Sequence, residues 1–168
     1  MKRVLVAGVG NVLFNDHGFG VEVARRLRTS ALPSGAIVED FGPRSVHRAF
    51  KLLGPLGIGQ LVLVDSVTRG GEPGTVYLLD GQEELARAED CHDLAARNPS
   101  GVYAVLRTMG DAAPSLRIVG CEPLETGPCV GLSAEVERAV EPAIRLVLLL
   151  IGESQRRSRP DGHATPSG

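Results

Sequence analysis

Val4-Leu5-Val6-Ala7-Gly8-Val9-Gly10-Asn11-Val12-Leu13-Phe14-Asn15-Asp16-His17-Gly18-Phe19-Gly20 carries the chain from an apolar run through two glycines and a polar loop into an amphipathic segment. Residues 4–9 lack any charged side chain, the pattern of a strand buried on both faces in a parallel sheet. From residue 20, Val21, Val23, Ala24 and Leu27 fall on one side of a helix and Glu22, Arg25, Arg26 and Arg28 on the other. The opening unit is therefore strand, loop, helix. Ligands of open α/β sheets bind beyond the carboxyl ends of the strands, so residues 11–17 are the first place to expect a site.

The same grammar continues along the chain. Ala36-Ile37-Val38-Glu39-Asp40 suits a second strand with Phe41-Gly42-Pro43-Arg44 as its exit, and a helix follows from about Ser45. Gln60-Leu61-Val62-Leu63-Val64-Asp65 is a third, nearly all-apolar strand that ends in a carboxylate. Turn residues 67–74 lead to a fourth strand at Thr75-Val76-Tyr77-Leu78-Leu79, suited to an edge position and a different direction. A short helix over 83–87 precedes the polar break Asp90-Cys91-His92-Asp93. Asn98-Pro99 has the form of an N-cap with proline at the first helical position. Residues 116–120 make the fifth strand, and Ser133 caps a last helix containing Pro142, where a kink is expected, and stopping at Gly152. The polar residues 153–168 lack periodicity and are expected to form a disordered tail, leaving residues 1–152 as a single domain.

Composition narrows the function. The chain has 168 residues, 43% hydrophobic, with a formal net charge of -2, which gives no electrostatic case for nucleic acid or an anionic membrane. Aromatic residues are 4% and Trp is absent, so no stacking platform for bases or sugars is evident. The longest apolar run, 146–151, is far short of the ~20 residues that span a bilayer. Three cysteines without a Cys-x-x-Cys pair argue against a disulfide framework, and the amino terminus has no signal-peptide pattern, so a cytoplasmic protein is expected.

Two chemistries compete for the first loop. Gly8-Val9-Gly10 is the start of a dinucleotide fingerprint, but its third glycine should stand at position 13, where the chain has Leu13. The alternative gives the glycines only the turn and assigns chemistry to Asp16 and His17. Of the four histidines, His163 lies in the tail and His47 at the start of a helix, whereas His92 lies between acids in a loop. Asp16, His17, Asp65 and His92 come from three loops that one sheet edge could gather. Imidazole with carboxylate suits a borderline transition metal, which can activate water or polarise a carbonyl. Neither His-Glu-x-x-His nor Gly-x-Ser-x-Gly occurs. From the residues alone, the choice between a metal-dependent hydrolase and a metal-binding protein stays open.

Taken together, these motifs resemble the endopeptidases that mature nickel–iron hydrogenases. Gly8 to Gly20 is similar to that family's Gly-x-Gly-Asn-x-Leu-x-x-Asp-(Asp/Glu)-Gly-x-Gly signature. Asp65 matches its strand-ending aspartate, His92 its histidine, and Val119-Gly120-Cys121-Glu122-Pro123 with Gly131-Leu132-Ser133 its ending before the last helix. The resemblance implies a three-layer α/β/α sandwich with a mostly parallel, twisted sheet of about five strands and helices on both faces. It implies removal of a C-terminal extension from the hydrogenase large-subunit precursor, with substrate-borne nickel as the recognition point and no resident metal. His17, Asp65 and His92 take the metal-recognition positions, Asp16, Asp65 and His92 the catalytic ones, and Asn11, Gly42 and Arg44 are candidates for substrate contact. A monomer is expected. Two departures stand out: His17 replaces the second acid of the signature, and Asp40-Phe41-Gly42-Pro43-Arg44 replaces an Asp-Gly-Gly-Thr loop. A non-catalytic nickel-site checkpoint and a nucleotide-binding protein are the competing functions.

Overall fold

The computed structural model describes residues 3–42, 45–90 and 100–158. Five strands form one sheet: β1 (Arg3–Val9), β2 (Ala36–Gly42), β3 (Ile58–Ser66), β4 (Val76–Asp80) and β5 (Ser115–Cys121), in the order β2-β1-β3-β5-β4. All neighbours are parallel except β4, which runs antiparallel to β5 at the edge. The short, mixed-exposure strand after the turn-rich residues 67–74 thus takes the edge position and reversed direction that its sequence suggested.

Side-chain alternation along β1 divides the core in two. Val4 and Val6 pack on one face with α1 (Phe19–Arg28) and α5 (Ala134–Arg157), through Val23, Leu27, Val140 and Val147. Leu5, Ala7 and Val9 pack on the other with α2 (Ser45–Leu53) and α4 (Ser100–Met109), through Ala49, Leu53, Val102 and Val105. Helix α3 (Gly81–Asp90) adds Leu85 to the second face. Burial on both faces is why the central strands are nearly continuous apolar runs rather than alternating ones. The layers are α/β/α.

Two expectations change at the carboxyl end. Helix α5 does not stop at Gly152 but continues to Arg157, so residues 153–157 belong to the fold rather than to a tail. Ile151 and Ser154 are buried there, and Gln155 Nε2 donates to Ser34 O at 2.6 Å. A glycine inside a helix costs about 1 kcal/mol, which such anchoring offsets. Pro142 lies inside the helix without ending it. His92, Arg44, the Asn98-Pro99 cap and residues 159–168 lie outside the described residues.

Candidate functional site

Strand order reverses between β1 and β3: from β1 the chain moves outward to β2, whereas β3 is followed by the β4–β5 side. That switch point is where an open α/β sheet leaves a crevice beyond its strand ends. Two glycines shape it. At Gly20, on the first turn of α1, a Cβ would stand 2.1 Å from Val64 O and 2.4 Å from Val9 O, so only glycine lets the helix seat on the ends of β1 and β3. Gly10 has φ +134°, and a Cβ there would meet His17 O at 1.8 Å. The turn after β1 is wound this tightly because Asn11 N–H donates to His17 O at 3.0 Å.

This winding answers the nucleotide alternative. The close helix–strand approach that a fingerprint glycine would give at position 13 is made by Gly20 instead, after a 3₁₀ turn over Asn15–Gly18. Backbone N–H groups that would cradle a pyrophosphate already have partners. Leu13 N–H donates to Asn11 Oδ1 at 3.0 Å, Phe14 N–H to Asn11 O at 3.1 Å, and Asn15 N–H to Cys129 O at 2.7 Å. Asp16 N–H donates to Glu125 O at 3.0 Å. Asn11, a candidate for substrate contact, therefore commits its Oδ1 to shaping its own loop.

Asp16 is fully buried. Its Oδ2 accepts from Leu124 N–H and Glu125 N–H, both at 2.9 Å, and from Ser133 Oγ–H at 2.9 Å. Its Oδ1 accepts from Ser133 N–H at 2.7 Å. Burial alone would raise its pKa; the three backbone N–H groups and the hydroxyl outweigh it and hold the carboxyl below the ordinary value of 3.8. An ionised carboxylate with both oxygens filled ties the first loop to the segment ahead of α5. It is poorly placed to take a proton from water.

Asp65 is the opposite case. It sits at the carboxyl end of β3, 1% exposed. Its Oδ1 accepts from Ser66 N–H at 2.8 Å, while its buried Oδ2 has no hydrogen-bond partner among the described residues. Burial pushes its pKa well above 3.8, and that one N–H bond only partly opposes the rise. Ser66, next in sequence, shares a 3.1 Å hydrogen bond with His17 Nδ1. The structure thus brings His17 and Asp65 to one place, linked through Ser66. With Nδ1 so engaged, Nε2 is the imidazole nitrogen left for a metal. The role of Ser66 was missed from sequence; its position directly after the strand-ending acid was the available signal.

Asp40 lies at the same sheet edge, paired with Gly8 across β2 and β1, and its buried Oδ1 also lacks a partner among the described residues. Gly42, with φ +47°, follows at the end of β2. On the other flank, Glu122 is buried and accepts from Arg69 N–H, Gly70 N–H and Tyr77 Oη–H, fixing the turn before β4. Cys121 is fully buried, its thiol pushed up to about 12 by burial and by the Asp16 and Glu122 carboxylates, which disqualifies it as a nucleophile. No group of three or more metal-ligating side chains occurs among the described residues. Two surface concavities, of about 420 and 300 Å³, lie elsewhere, beside Pro73 and Pro142 and beside Gln60 and Arg157. Among the described residues no helix is long and apolar enough to cross a membrane.

Residues 21–149 match the profile of a family described as HycI, hydrogenase maturation protease. The chain is 31% identical over 155 residues to the hydrogenase 2 maturation protease of Escherichia coli K12, covering 90% of this chain and 92% of that one. It is 30% identical over 152 residues to the hydrogenase expression/formation protein HupD of Rhodobacter capsulatus, covering 86% and 70%. Its fold is similar to that of the hydrogenase maturating endopeptidase HybD from Escherichia coli, with a TM-score of 0.73, 30% identity and coverage of 91% and 94%.

Proposed function

The chain belongs to the hydrogenase maturation protease family, and we propose on that premise that it removes the C-terminal extension of a nickel–iron hydrogenase large-subunit precursor after nickel insertion. One observation carries the assignment to this site: the buried Oδ2 of Asp65, without a hydrogen-bond partner among the described residues, beside a tethered imidazole at the switch point. Burial pushes the Asp65 carboxyl well above its ordinary range, and a cation arriving beside it would favour the ionised, ligating form. Nickel arrives as part of the substrate. His17, Asp65 and His92 are the residues to recognise it, with imidazole nitrogen in place of the family's carboxylate oxygen at position 17.

In this reading Asp65 and His92 carry the proton traffic around the attacked carbonyl. Asp16 serves as a positioning residue, because its oxygens are consumed in holding the loop that presents His17. Gly42, at the end of β2, and Arg44, two residues on in sequence, are the residues that select the substrate. The working unit is a monomer acting in the cytoplasm. No cofactor is held between turnovers.

The test is the intact mass of a large-subunit precursor, nickel-loaded or nickel-free, incubated with the protein. Loss of a discrete C-terminal peptide from the nickel-loaded sample alone is the expected result. An unchanged precursor, when a related protease cuts the same preparation, would refute the assignment and favour a checkpoint that binds without cutting.

A further inference from the structure

Resting on that function, we propose that Val12, Leu13, Phe14, Leu124 and Val130 form the seat on which an apolar surface of the large-subunit precursor docks beside the cut. These side chains are exposed in spite of their chemistry: Val12 by 46%, Leu13 by 58%, Phe14 by 40%, Leu124 by 49% and Val130 by 74%. Scattered apolar residues on a surface need no explanation, but a contiguous group does. Contiguity here is built by hydrogen bonds. Phe14 forms a parallel bridge with Cys129, the neighbour of Val130, and Leu124 N–H donates to Asp16, two residues from Phe14. Two segments more than a hundred residues apart thus make one patch.

The patch is also held firmly. Asn15 has φ +45°, a left-handed conformation that asparagine tolerates better than most residues, and its N–H is tied to Cys129 O at 2.7 Å. Asp16 fixes the same loop with four accepted hydrogen bonds. A loop that served only to carry His17 could fold its apolar residues inward; this one is pinned so that they face water.

Position selects the occupant. Val12, Leu13 and Phe14 lie between Asn11 and His17, and His17 is tethered through Ser66 to the strand end that carries Asp65. Whatever rests on Leu13 is therefore in register with the site. The partner it fits is the folded protein substrate of a maturation protease, gripped by its apolar surface next to the nickel centre, in addition to recognition of the metal itself.

The test compares wild type with Leu13→Ser, Val130→Ser and their combination, measuring Kd, KM and kcat for the nickel-loaded precursor and the mass of each free protein in solution. Each single substitution is expected to raise Kd and KM roughly ten-fold, the double variant more, with kcat at saturation and melting temperature held. Leu13→Met, which keeps an apolar contact, should restore binding. A double variant that binds and cuts like wild type overturns the seat while leaving the protease function standing. A wild-type dimer that Leu13→Ser dissociates, with cleavage unchanged, would show that a second copy occupies the patch and also overturns the proposal. Wild type that neither binds nor cuts the precursor overturns both.

Discussion

Asp65 and Asp16 both sit at one sheet edge, yet their surroundings give the two carboxylates opposite behaviour. Asp16 has every oxygen satisfied and is held toward the ionised form, whereas Asp65 keeps one oxygen without a partner among the described residues and is pushed toward the neutral form. Asp65→Asn preserves shape and removes the ionisable group, so cleavage should fall by about 10²-fold or more. Stability should move the other way. The folded-state pKa of Asp65 lies above its unfolded value, so wild type loses stability as pH rises through the interval between the two. The asparagine variant escapes that loss. Melting temperatures at pH 5 and pH 8 check it: the variant should gain on wild type at the higher pH, and a constant difference would contradict the assignment. Sequence made Asp65 legible, because an acid ending an otherwise apolar run is conspicuous. It could not reveal the oxygen that lacks a partner among the described residues, which depends on what the neighbouring strands fail to supply.

Elements were the easiest level to read and their joints the hardest. Runs such as 60–65 and 116–120 declare buried parallel strands because no other environment accepts them, and the turn-rich residues 67–74 foretold the reversed edge strand β4. The joint made by Asp16 gave no such signal. Its partners Leu124, Glu125 and Ser133 are 108, 109 and 117 residues away and contribute mainly backbone N–H groups, which every residue type supplies. The end of α5 is hidden for a related reason, since Gln155 reaches Ser34 at a distance of 121 residues. Asp16→Ala would leave three backbone donors unpaired, at a cost of about 3 kcal/mol. For a chain of this length that corresponds to a melting temperature lower by roughly 10 °C. Limited proteolysis should cut the variant first within 124–130, where the released strap lies; initial cleavage elsewhere would show that Asp16 is not what holds it.

At the scale of the whole molecule, two buried carboxylates clamp the chain after β5 from opposite sides. Glu122 grips the turn before β4 through Arg69, Gly70 and Tyr77, and Asp16 grips the segment leading to α5. For Glu122, as for Asp16, burial would raise the pKa but the donated hydrogen bonds prevail and hold it below its ordinary value of 4.5. A group whose folded pKa is depressed contributes stability that is complete above its unfolded pKa and lost as pH falls through the folded one. Both clamps therefore fail together on the acid side, beginning near the ordinary values of 4.5 and 3.8. Asp65 acts in the opposite sense, its contribution to stability falling as pH rises above its unfolded value. Urea midpoints measured across pH 2–8 test this. Glu122→Gln should be less stable than wild type at pH 6 and lose less on acidification, because it has no proton to take up. An acid limb as steep in that variant as in wild type would mean that other carboxylates govern acid unfolding and that the clamp at Glu122 contributes little.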